Sequence, residues 1–344
     1  MAFPLAWVLA HFGVVDRPNA RSSHTQPTIR GGGVAILAVL AIAGAALSGK
    51  DGGGVLVWLL SAATCLAVVS FWDDLKSVPA GIRFSCHALA AITVLIALDW
   101  PRVGLGLWFG HQFAVPAWLG LVVLFFWLTG YTNAFNFMDG INGIAAGQAL
   151  VTGLGMAVLA GTATGGWDSP PVLFSLAVAG AAAGFLPHNF PQARMFMGDV
   201  GSAPLGFLLA ALVCWLGLAD SGRLLVPLAL LHANFVLDTG ITLARRIWRG
   251  EQWYAAHREH FYQRLVDSRR SHAFVTGVEM TLQLVIFGLS YAFLWANGAG
   301  RIALVSLVIM IWVGFFLYCE RAFRFAAALR EGSVVHGAVG GERA

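Results

Sequence analysis

Charge is what this sequence has least of. Only 11% of its 344 residues are charged, 58% are hydrophobic, and the mean hydropathy is +0.75. A soluble domain carries about a quarter charged residues, so a water-soluble fold is excluded and the solvent is lipid. Cysteine is scarce as well. The four, at 65, 86, 214 and 319, sit in or at the ends of apolar runs without CxxC spacing. That argues against a zinc site or a disulfide framework. The first residues lack the basic n-region of a cleavable signal peptide. No internal repeat or soluble domain stands out, so 1–344 is expected to form one integral-membrane domain. The net charge of +4 and the pI near 9.1 do not point to nucleic acid, because in a membrane chain the placement of positive charge says more than its sum.

What is present is apolar runs, at about 2–15, 33–48, 55–72, 84–98, 117–132, 143–161, 171–186, 200–218, 224–242, 273–295 and 302–319. The first is short for a bilayer, which needs about 20 helical residues. The mixed segment 99–116 reads as an extended loop or a short β-hairpin. The expected fold is an all-α polytopic membrane protein of about eleven transmembrane helices. With the 16–32 side taken as inside, only Lys50, Arg102, Arg223 and Arg301 of the 21 basic residues fall outside. This bias predicts an external N-terminus and a cytoplasmic C-terminus. The cytoplasmic loops would lie at about 16–32, 73–83, 133–142, 187–199 and 243–272.

The polar residues gather at span ends on that one side. In Asn133–Gly147, NAFNFMDGINGIAAG, the residues Asn133, Asn136 and Asp139 recur every three positions and share a helical face. A plain turn needs a glycine and one asparagine, and this is a costly set of groups at a membrane edge unless they bind something. Asp73 and Asp74 close the third span, next to Lys76. Adjacent carboxylates suggest a nearby cation, metal or Lys/Arg, although standing alone the pair would read first as a solvated helix end. Asp199 opens the eighth span in a Gly-Asp-x-Gly-Ser turn, as a cap or as a metal carboxylate beside free N–H groups. Arg17, Arg21, Ser22, Ser23, His24, Thr28 and Arg30 lead into three glycines, which suits an oxyanion as well as a basic inside loop. The stretch 245–264 packs five arginines, two histidines and five aromatics. It reads as a sugar-nucleotide contact or as an interfacial amphipathic helix.

DRPNARSSHTQPTIRGGGVAI, FWDDLKS, NAFNFMDGINGIAAG and NFPQARMFMGDVGSAPLG, in this order between spans, resemble the polyprenyl-phosphate N-acetylhexosamine-1-phosphate transferases. That family includes the phospho-MurNAc-pentapeptide translocase and the enzymes that start O-antigen and enterobacterial common antigen. The resemblance implies transfer of a sugar-1-phosphate from a UDP-N-acetyl sugar to undecaprenyl phosphate at the cytoplasmic face of a bacterial inner membrane. It further implies UMP release, dependence on Mg2+ with Mn2+ as a substitute, and a homodimer as an option.

By motif, Asp73 and Asp74 match the family's aspartate pair and Asn136 and Asp139 its NxxD site. Asp199 matches the carboxylate assigned to magnesium, with Asp139 as a second ligand. Arg21, Ser23, His24, Arg30, Lys76, Asn133, His257, Arg258 and His260 would contact substrates. The chain departs from the family pattern at Asn142, where Asp is usual, and at Thr28-Ile29-Arg30, where TPR is usual. Its AHREHFYQRL stretch looks more like the O-antigen initiators that use N-acetylfucosamine or N-acetylquinovosamine. The competing expectation is a transporter or channel, because His87, His232, Asp238 and Glu279 lie in or near spans.

Overall fold

The computed structural model describes all residues except 1, 12, 17, 19–26, 100–104, 109–111, 253–256 and 341–344. Among the described residues the chain is helical throughout, with two short β-ribbons. A short α1 (Ala2–His11) leads to β1 (Val15–Asp16) and β2 (Thr28–Ile29), which pair antiparallel. Then come α2 (Gly33–Leu47), α3 (Val55–Leu75) and α4 (Ala80–Ala97). The segment expected as a loop or hairpin holds β3 (Leu105–Trp108) and β4 (Gln112–Val115), an antiparallel hairpin. There follow α5 (Ala117–Met138), α6 (Ile144–Thr164), α7 (Pro170–Asn189), α8 (Asp199–Ala219), α9 (Leu225–Leu230), α10 (Ala233–Trp248), α11 (Phe261–Asp267), α12 (His272–Trp295) and α13 (Gly298–Gly340).

Eight of the described helices are long and apolar enough to cross a membrane, and α2 is a shorter apolar helix. The polytopic all-α class therefore holds, with fewer full-length spans than the eleven apolar runs. The helix α8 is the axis of the bundle. It packs on α2, α3, α5, α6 and α9, and every residue from Val200 to Leu218 is buried. Outward-facing Trp58, Ile96, Trp118 and Phe126 suit lipid contact.

The run 224–242 is not one span. It breaks at Leu231–His232 between α9 and α10. The freed carbonyl of Leu231 accepts from Gln148 Nε2 at 2.9 Å, from Thr152 Oγ1 at 3.4 Å and from Gln283 Nε2. Side chains of α6 and α12 thus satisfy the broken backbone, which is how a membrane bundle tolerates such a break. The consequence is functional. The helix restarts as α10 and places Asp238 beneath α11.

Candidate active site

The N-termini of α2 and α8 and the C-termini of α3 and α5 meet at one pole. The backbone stitches them together. Ile29 bridges Met195 in parallel. Phe196 N–H donates to Ile29 O at 2.8 Å, Gly32 N–H to Phe196 O at 2.9 Å and Gly33 N–H to Met197 O at 2.9 Å. A Cβ on Gly33 would overlap the Gly201 backbone, so only glycine lets α2 and α8 approach this closely. Gly198 has φ +74°, and a Cβ there would lie 3.1 Å from both Asp74 Oδ2 and Gly31 N. Both the backbone conformation and the space therefore require glycine.

Around this junction sits the charged centre. Arg30 Nη2 lies 2.6 Å from Asp74 Oδ1 and 2.9 Å from Asp199 Oδ1. Asp74 also accepts the N–H groups of Asp199 at 3.3 Å and Val200 at 3.2 Å, and so caps α8 from another helix. Its side chain is 3% exposed, whereas those of Asp199 and Arg30 are 27% and 30% exposed. Asp199 and Arg30 are the groups open to a ligand. Burial drives the Asp139 carboxyl well above the usual range. Asp199 and Asp74 add to this and Arg30 opposes it, so the three carboxylates and Arg30 form one electrostatic unit. The α8 turn does not offer the free N–H groups expected from its sequence. Those of Asp199 and Val200 go to Asp74, and those of Gly201 and Ser202 go to Gly198 O. The N–H groups of Gly32 and Gly33 at the start of α2 are likewise used in the stitching.

The two adjacent aspartates part company. Asp73 faces Arg83 at 2.6 Å and accepts Val78 N–H at 2.7 Å, which ties the α3–α4 turn. It is not part of the Arg30 centre, since successive residues at a helix end point about 100° apart. Lys76 Nζ lies 5.7 Å from the centre of the Trp72 ring. Asn136 Oδ1 accepts from Ser202 Oγ at 2.6 Å, which fastens α5 to α8. Asn133 Nδ2 donates to Thr129 O in its own helix. The Asn142 side chain donates to Pro191 O at 3.1 Å, and its backbone carbonyl accepts from Thr276 Oγ1 at 2.7 Å, so the amide at this departure from the family pattern fastens its turn to Pro191. Arg21, Ser23 and His24 lie outside the described residues.

The histidine loop packs beside this centre. Residues 257–260 precede α11 rather than forming a helix, yet the His257 and His260 rings lie 4.9 Å apart. His260 is buried, and its Nδ1 is 2.9 Å from Asp238 Oδ1. Asp238 also accepts the N–H groups of Phe261 at 3.1 Å and Tyr262 at 3.3 Å. The expected surface contact at His260 is therefore a buried anchor. Arg258 pairs with Asp267 at 3.2 Å. His257 is partly exposed, and burial, with His260 and Arg246 adding, pulls its imidazole down to about 4. It is neutral at pH 7.

The intramembrane polar groups that suggested transport mostly have structural occupations. His232 bonds Leu228 O at 2.9 Å, Glu279 accepts from Asn234 at 3.4 Å, and Asp238 holds α11. Ser202 and Tyr262 are site-building residues that the motifs did not single out, although Ser202 lies inside the Gly-Asp-x-Gly-Ser turn. Asp238 stood out in sequence only as an ionisable group in a span, and the structure has it holding the start of α11.

Among the described residues no group of three or more His, Cys, Asp or Glu is arranged to hold a metal by itself. The donors are nonetheless hard carboxylate oxygens, with Asp199 open and Asp139 beside it. A magnesium ion takes one or two carboxylates and completes its shell with water and substrate phosphate. The residues present fit such an ion.

The family model for glycosyl transferase family 4 matches residues 56–217, from α3 through α8. A probable undecaprenyl-phosphate N-acetylglucosaminyl 1-phosphate transferase of Bacillus subtilis is 30% identical over 76% of this chain and 72% of its own. The decaprenyl-phosphate N-acetylglucosaminephosphotransferase of Mycolicibacterium smegmatis is 29% identical over 90% of this chain and 84% of its own. A phospho-N-acetylmuramoyl-pentapeptide-transferase of Synechococcus is 30% identical over 84% and 85%. The match spans the helices whose ends carry Asp74, Asp139 and Asp199 and extends over most of each relative, and the chain belongs to glycosyl transferase family 4.

Proposed function

We propose that this chain transfers an N-acetylhexosamine-1-phosphate from a UDP-sugar to undecaprenyl phosphate, releasing UMP, at the cytoplasmic face of a bacterial inner membrane. The observation that carries the reading is the Arg30–Asp74–Asp199 centre with Asp139 beside it, at the pole where four helix ends meet. The polyprenyl-phosphate acceptors named for the relatives support it.

The nucleophile is already an anion, because a phosphate monoester has a second pKa near 6. A lipid phosphate oxygen attacks the β-phosphorus of the UDP-sugar in line. The bond from that phosphorus to the bridging oxygen breaks, and the electron pair leaves with UMP. Bringing two anions together is the difficulty. Arg30 supplies fixed positive charge to them. Asp74 holds both Arg30 and the start of α8 in place and leaves Asp199 open. Asp199 and Asp139 would hold Mg2+, which when bound supplies charge neutralisation on the diphosphate and the departing UMP. No general base is required, so Asp73 serves as a structural residue. The loop around His257 collects the sugar nucleotide. Its AHREHFYQRL sequence favours a deoxy N-acetyl sugar and an O-antigen or related surface polysaccharide.

Purified protein with undecaprenyl phosphate and magnesium, offered a panel of UDP-sugars, tests this. UMP release that needs the lipid is expected. Uptake of a labelled solute into vesicles without UMP release would instead indicate a transporter.

A further inference from the structure

The helix α5 ends at Met138, and the last carbonyls of a helix have no partner within it. Asp139 N–H reaches back to Asn136 O at 3.3 Å. The carbonyl of Phe137 is satisfied from far away in sequence, since the Tyr262 hydroxyl donates to it at 3.1 Å. Tyr262 is wholly buried. Its ring stacks on His260 at 5.9 Å and 18°, and its own N–H is held by Asp238. The hydroxyl also covers the residue that follows Asp139. A Cβ built on Gly140 would overlap the Tyr262 hydroxyl, and its next two neighbours, at 3.1 and 3.3 Å, are ring atoms of the same tyrosine.

One side chain therefore joins the histidine loop to the turn that carries Asp139. We infer that Tyr262 is a positioning residue. Its hydroxyl fixes the Asp139 turn against the His257–His260 loop, so that a sugar nucleotide held by the loop meets the carboxylate in register. This rests on the transferase reading above. Without the hydroxyl the loop remains anchored through Asp238, so nucleotide binding persists. The Phe137 carbonyl loses this partner while Ser202 still holds Asn136, and the turn that carries the carboxylate is held less firmly. Small displacements of this kind cost turnover more than affinity.

The test is a double-mutant cycle of Tyr262→Phe and Gly140→Ala, with thermal unfolding in detergent and UMP release per folded molecule as readouts. Tyr262→Phe should lower kcat by about tenfold to a hundredfold and leave the KM for UDP-sugar unchanged. Gly140→Ala should lower both Tm and kcat, because the new methyl meets the hydroxyl. Adding Tyr262→Phe to Gly140→Ala removes the overlapping atom and should raise Tm and kcat above those of Gly140→Ala alone. Tyr262→Phe with wild-type kcat would overturn the inference, as would a reduced Tm with unchanged turnover per folded molecule. So would a double variant no better than Gly140→Ala. Failure of the transferase reading looks different. Wild-type protein would release no UMP, while the Tm cycle would still report the contact.

Discussion

At the residue scale Asp73 and Asp74 serve different partners, Arg83 for the first and Arg30 with the start of α8 for the second. Asp74→Asn weakens the hold on Arg30 and unseats the α8 cap, and Asp199→Asn removes the carboxylate open to solvent. Each should lower kcat at least about a hundredfold, comparable to losing one preorganised electrostatic group. Asp73→Asn weakens the ion pair with Arg83, which lies outside the Arg30 centre, and should keep most of its turnover. Raising the pH should not change the Asp73→Asn rate relative to wild type, because no base is lost. Steady-state kinetics across pH decide this. The adjacent pair could be seen in sequence, but its division could not, because it depends on which way a helix end is rotated against α8.

His257 gives a second test at this scale. Its folded-state value near 4 lies below the unfolded value of about 6.5. Between these values the unfolded chain binds more protons, so stability falls as pH drops through that window. The Tm should decline from pH 7 to pH 5, and His257→Gln should flatten that decline.

At the element scale the described residues 257–268 are clamped from several sides. Glu259 pairs with Arg246 and Arg249, and Glu320 on α13 pairs with Arg264 at 2.9 Å. Asp238 holds the start of α11. His260→Ala deletes a buried anchor, and His257→Ala removes a partly exposed ring. Both should raise the KM for UDP-sugar more than the KM for polyprenyl phosphate, and only His260→Ala should also expose the loop to protease. Unchanged KM values in both variants would remove the loop from the site. The helices themselves were legible from apolar runs, because lipid demands long uncharged segments. The break at Leu231–His232 was not. Its hydrogen bonds come from Gln148, Thr152 and Gln283, which are remote in sequence and carry no periodic signal. The stitching of Ile29–Gly33 to Met195–Met197 was hidden for the same reason, although the glycines on both sides marked where backbones would approach.

At the scale of the whole molecule, the clustering of Arg30, Asp74, Asp139 and Asp199 at one pole matches the side to which the basic residues were assigned. Cysteines introduced at Ser77 and Ser268 should resist impermeant reagents applied outside intact cells and react once the membrane is opened. Labelling of either from outside would reverse the orientation. The central claim is that the bond broken lies between the two phosphates of the sugar nucleotide. It is tested most directly with UDP-sugar radiolabelled at the β-phosphorus, incubated with the purified protein, magnesium and undecaprenyl phosphate. The label should move into the lipid fraction with stoichiometric UMP in the aqueous phase, and Asp199→Asn should abolish both. Sugar reaching the lipid without the labelled phosphorus, with UDP released in place of UMP, would contradict it.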